Sequence, residues 1–95
     1  MNYYAVHYTY VTDTDALTAE RPAHRDYLRT LGQGGLLAAG NYPEADQPGA
    51  LLLFKSDEIH PVEVALNKDP YWTKDLIVER RIERWNPVIG VFETK

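Results

Sequence analysis

The hydrophobic and polar positions follow two rhythms, and the points where the rhythm changes divide the chain into elements. Residues 2–11, NYYAVHYTYV, are rich in tyrosine and β-branched side chains and predict a first strand. TDTDAL (12–17) reads as a connection with local side-chain caps. Residues 19–35, AERPAHRDYLRTLGQGG, carry helical spacing and predict a first helix. Pro22 suits its first turn, where the missing donor costs little, and Gly32, Gly34 and Gly35 supply its stop. LLAAGNY (36–42) and ALLLFK (50–55) predict strands two and three, separated by the turn PEADQPG. Ser56 or Asp57 is placed to cap a second helix running to about Lys68. That helix should end at Asp69, because a residue before proline is pushed out of the helical region, and Pro70 can open a short extra turn through Trp72. LIVERRIERW (76–85) predicts strand four, and NPVIGVFE (86–93) an extended tail or last edge strand.

The order β-α-β-β-α-β is the ferredoxin-like pattern: an α+β fold with an antiparallel sheet and both helices on one face. It fits a single domain over residues 1–95. A sheet with one wet face should alternate apolar and polar residues. ALLLF and LLAAG do not alternate, and strand one sets Tyr4, Val6, Tyr8 and Tyr10 on one face but Tyr3 and Ala5 on the other. Both faces therefore look covered, and the helices can cover only one. A second copy of the sheet is the simplest cover, so the expectation is a homodimer with two sheets face to face.

Composition removes several function classes. The chain has no cysteine, so neither a disulfide framework nor thiolate chemistry is expected. MNYYAVHYTY lacks the basic start and apolar run of a secretory signal, and the longest apolar run, Ala50–Phe54, is too short to cross a membrane. A cytoplasmic location is expected, with no membrane partner. The formal net charge of −4, and the acids Glu79 and Glu83 among the arginines of ERRIERW, argue against a nucleic-acid partner.

The candidate chemistry narrows by elimination. GQGGLLAAG (32–40) would need its third glycine at position 37, which is Leu37, and it runs helix to strand, so the helix-stop reading stands against a dinucleotide fingerprint. Ser56, the one serine, lacks a glycine elbow and sits where a cap belongs. His7, His24 and His60 show no metal-ligand spacing, and no metal or cofactor is expected. His24 differs from the other two. With Tyr27, Leu28 and Leu31 it falls at i, i+3, i+4 and i+7 on the apolar stripe, while Arg25, Asp26 and Arg29 take the wet side. A histidine there is either a polar anchor bonded to a carbonyl or tyrosine, or chemistry. Two ring nitrogens make it a costly choice for mere packing. DPYW (69–72) is a good cap-plus-proline start in its own right. It also closes helix two beside helix one, where Asp69 could reach His24, fix its tautomer and leave the other nitrogen for a substrate. Tyr71 and Trp72 would supply apolar walls.

RPAHRDYLRTLGQGGLLAAG (21–40) resembles the helix-one and strand-two segment of the YCII-related (YciI-like) family, and DPYW resembles its Asp-Pro-aromatic motif. The likeness covers most of the chain in the same order of elements. It implies a fold similar to the dimeric α+β barrels, which also include muconolactone isomerases and small monooxygenases. It implies a His-Asp active site, which by motif match is His24 and Asp69. Family members with an assigned reaction are dehydrochlorinases acting on ring compounds. Two departures border the expected cleft: GNYP displaces Pro43 from a usual Gly-Pro, and WTKDLI lacks a usual glycine. The expected function is cofactor-free general acid/base chemistry, an isomerisation or elimination, on a small cyclic or aromatic compound, with Tyr27, Tyr71 and Trp72 lining the cleft. The alternative is a non-catalytic ligand-binding or accessory module in which His24 is a structural anchor.

Overall fold

A computed structural model of the chain describes residues 1–93. It contains strand β1 (Asn2–Tyr10), helix α1 (Thr14–Thr30) extended by a 3-10 turn (Leu31–Gly34), strands β2 (Leu36–Asn41) and β3 (Gly49–Ser56), helix α2 (Ile59–Asn67), a one-turn helix α3 (Pro70–Thr73) and strand β4 (Ile77–Trp85). The four strands pair antiparallel in the order β2-β3-β1-β4, the ferredoxin-like arrangement.

β1 lies at the centre and explains the layering. Its residues alternate strictly, with Tyr4, Val6, Tyr8 and Tyr10 buried. They meet Leu52 and Phe54 of β3, Val62 and Leu66 of α2, and Leu17 and Leu28 of α1 in one core on the helix side. The unbroken apolar run of β3 resolves in the same way. Ala50, Leu52 and Phe54 are buried, Leu53 is half-buried and Leu51 is exposed on the opposite face. On that face His7 lies opposite Leu51 and Ala5 opposite Leu53.

Three boundaries differ from the sequence expectation. Helix α1 starts at Thr14, because Asp13 is an extended cap whose side chain accepts from the amide of Ala16 (3.1 Å). TDTDAL is therefore largely helix, and Pro22 sits inside α1 rather than in its first turn. An interior proline brings no amide to the carbonyl four residues back, here Thr18, and crowds that turn. Helix α2 is capped at Glu58 with no side-chain bond. Ser56 instead closes the preceding turn, its hydroxyl donating to the Glu58 carbonyl (2.7 Å). The tail forms no strand through Glu93. It bends at Gly90 and lays Phe92 against Tyr3 and Trp85, with ring centroids 5.8 and 6.4 Å apart.

Candidate functional site

The Asp-Pro start of α3 builds the site. Asp69 takes the extended backbone of a cap, with Pro70 at the first helical position, and its Oδ1 accepts from the Tyr71 amide (3.0 Å). This fixes a carboxylate that is fully buried beside α1. His24, 7% exposed on the buried stripe of α1, places Nδ1 2.7 Å from the same Oδ1. The Tyr8 hydroxyl donates to Oδ2 (3.2 Å). A carboxylate only accepts, so Nδ1 carries the proton toward Asp69 and the lone pair of a neutral ring resides on Nε2.

Two aromatic rings set the plane of the imidazole. Tyr71 stacks on it, with centroids 3.9 Å apart and planes 3° from parallel, and Tyr10 meets it edge-on at 6.4 Å. Tyr71 is itself anchored, its hydroxyl donating to the Leu17 carbonyl of α1 (2.8 Å). Burial, then the neighbouring Asp69 charge, push the Tyr8 hydroxyl far above the usual tyrosine range, so it stays a donor. Burial does the same to Tyr10, with Tyr71 and Asp69 adding to the shift.

His24 opens on a cleft of about 750 Å³ between α1 and the β2–β3 side of the sheet. The volume suits a small molecule. Small residues on β2 leave the space, and a bulge between Leu36 and Ala38 turns Ala39 and Asn41 to the helix side, opposite Leu52 and Ala50. Leu36 and Ala39 contribute apolar surface over the buried Leu28, Ala50 and Leu52, and Tyr10 and Tyr71 form part of the lining. Among the described residues no buried side-chain nitrogen or oxygen lacks a hydrogen-bond partner. Among the described residues His24 bonds only through Nδ1, so Nε2 is the nitrogen left to the cleft.

Of the five expected site residues, His24, Asp69 and Tyr71 come together. The other two do not join the lining. Tyr27 turns its hydroxyl to the Ala65 carbonyl (2.6 Å), and Trp72 lies under Arg80, with the guanidinium 3.9 Å from its ring centroid. Helical and turn spacing put both near His24 and Asp69 along the chain, but their side chains point to α2 and β4. Sequence reasoning missed Tyr10, Arg21 and the part played by Arg25, which was assigned to the wet side. Arg25 is exposed, and it lines the cleft. Arg21 lies one turn before both His24 and Arg25, at i+3 and i+4, and that spacing is a signal present in the sequence. Pro43, displaced in the sequence from its usual neighbour, also lines the cleft. Asp75, in the segment without the usual glycine, takes the left-handed backbone that glycine favours (φ 59°).

Among the described residues no group of three or more histidines and carboxylates is placed as metal ligands would be. No helix of the described residues is long and apolar enough to cross a membrane.

No curated protein matches the sequence. Several solved structures share the fold. The chain is similar to the 5-chloro-2-hydroxyhydroquinone dehydrochlorinase TftG of Burkholderia phenoliruptrix AC1100, solved in complex with 2,5-dihydroxybenzoquinone (TM-score 0.78, 18% identity, 97% of this chain and 99% of that one). It is also similar to a protein of Agrobacterium tumefaciens (TM-score 0.58, 13% identity, 92% and 93%) and to a dimeric ferredoxin-like protein from an uncultured marine organism (TM-score 0.53, 10% identity, 96% and 98%). The model of the YCII-related domain matches residues 1–86, and the chain belongs to that family.

Proposed function

We propose that the protein is a cofactor-free enzyme that moves protons on a small cyclic or aromatic compound, by isomerisation or elimination, with His24 as general acid/base and Asp69 as its orienting partner. One observation carries the reading: a histidine held at Nδ1 by a buried carboxylate keeps Nε2 for a cleft of small-molecule size. The neutral Nε2 takes a proton from an acidic ring C–H. An isomerisation returns that proton to another carbon of the ring. An elimination expels the leaving group as its anion and leaves the proton on the ring of His24 until solvent removes it. Asp69 fixes the tautomer, and Tyr71, stacked on the imidazole, holds the ring plane. The fold shared with a dehydrochlorinase supports this reaction class by analogy.

The working form is a homodimer. The outer face of the sheet carries Ala5, Leu51, Leu53 and Trp85 among His7, Arg81 and Glu83, and the dimeric marine protein of similar fold supports a second copy there. The test is a screen of lactones and hydroxylated or halogenated aromatics for thermal shift and turnover, with wild type and His24→Ala side by side. The expected result is turnover by the wild type alone, with the variant still folded. Turnover retained in His24→Ala ends the reading. A thermal shift from compounds that are never turned over makes the protein a binding module instead.

A further inference from the structure

We propose that the ligand of the cleft is a ring acid, whose carboxylate is held by Arg21 and Arg25 while its ring lies on the apolar floor within reach of His24 Nε2. This rests on the cleft being the substrate site, and it adds the charge of what enters.

The cleft departs from the character of the whole chain. The protein has 14 acidic against 10 basic side chains, a net charge of −4. Yet Arg21, Arg25, Arg29 and His24 line the cleft, and no aspartate or glutamate does. Arg29 has a partner of its own, with its Nη1 3.2 Å from Asp26 Oδ1. Among the described residues neither Arg21 nor Arg25 forms an ion pair with a carboxylate. Asp69, behind the His24 ring, already accepts from Tyr8, His24 and the Tyr71 amide. The positive field is therefore not neutralised from within the cleft.

The placement is specific. Arg21 and Arg25 are one turn apart on α1, and both line the cleft on which His24 opens. Their charges reach the aromatic lining. Burial raises the Tyr71 hydroxyl, while Arg21, as a hydrogen-bond donor and a charge, and the charge of Arg25 oppose that rise; both charges also oppose the rise at Tyr10. Guanidinium is planar, always charged and geometrically matched to a carboxylate. Leu36 and Ala39, on the helix side of β2, offer a planar ring apolar surface but no second charge. A cation meets repulsion there, the ammonium of a zwitterion finds no acid in the lining, and a neutral ring brings no counter-charge to the arginines.

The test compares 2,5-dihydroxybenzoate with hydroquinone, which differ in the carboxylate. Affinities are measured by NMR titration on wild type, His24→Ala and the double variant Arg21→Gln/Arg25→Gln. Both arginines are exposed, so the double variant should keep its fold, which circular dichroism checks. At low salt the acid is expected to bind the wild type about tenfold or more tighter than hydroquinone. The advantage should collapse in the double variant and, on the unaltered protein, as salt approaches about 1 M. Equal affinity for the two compounds, an acid advantage that survives the double substitution, or no binding of the acid at about 10 mM overturns the proposal. The two readings fail separately. If His24→Ala keeps the acid preference and no compound is turned over, the arginine site stands and the acid/base chemistry falls. If neutral rings are turned over without an acid preference, the reverse holds.

Discussion

Asp69 is the residue on which several contacts meet: it caps α3, accepts from Tyr8 and bonds to His24 Nδ1. Asp69→Asn tests the tautomer. Its amide can donate to Nδ1, which would move the ring proton to Nε2 and remove the base from the cleft. Turnover should fall on the order of 100-fold or more while the fold persists, as steady-state kinetics and circular dichroism would show. Tyr8→Phe removes one of the three donors and should cost about 1 kcal/mol in chemical denaturation. The tyrosines also set an alkaline limit. In the unfolded chain their hydroxyls ionise near pH 10, whereas burial pushes those of Tyr8 and Tyr10 upward in the fold. The stability they contribute is complete below about pH 10 and is lost as pH rises from there toward their folded values. Melting temperature should fall steeply above about pH 10, and less steeply in Tyr8→Phe; an unchanged slope in that variant would contradict the burial argument.

At the scale of elements, two backbone positions decide how α1 and β2 frame the cleft. Gly35 ends the 3-10 turn at φ 107°, and a Cβ there would come within 2.5 Å of the Lys55 carbonyl oxygen. Its own carbonyl accepts from the Lys55 amide (2.8 Å), which starts the β2–β3 pairing. Gly35→Ala combines strain with a clash against backbone and should destabilise by about 2–3 kcal/mol, measured by urea unfolding. Pro22 marks the other side. A proline with helical residues before it reads locally as a start, yet the Asp13 cap and the buried Leu17 carry the helix through it. Propensity lost there to a cap and a packed side chain. The same turn presents Arg21, His24 and Arg25 to the cleft.

For the whole molecule, the open question in the sequence was what covers the second face of the sheet. Among the described residues the helices leave it open, and Phe92 shields the corner at Tyr3 and Trp85. Leu51 remains 37% exposed in the single chain, opposite His7. Light scattering should give twice the mass of one chain. Leu53→Glu, which sets a charge opposite Ala5 at the middle of that face, should give a single-chain mass with the helix-side core intact. A wild type of single-chain mass would refute the dimer.

The sequence by itself determined the elements and their order, because period-2 and period-3.6 patterns, caps and proline positions act over a few residues. It also singled out His24 as a polar residue on an apolar stripe, and Asp69 as a cap before Pro70. Only the tertiary structure decided that the two meet, across 45 residues of chain, since their 2.7 Å contact depends on how α3 docks on α1. It also decided which neighbours face the cleft. Tyr27 and Trp72 found partners elsewhere, at the Ala65 carbonyl and beneath Arg80, while Tyr10 came in from a strand. Local spacing places a Cα on a face. The direction of a long side chain is set by what packs against it, and those partners lie far away in the chain.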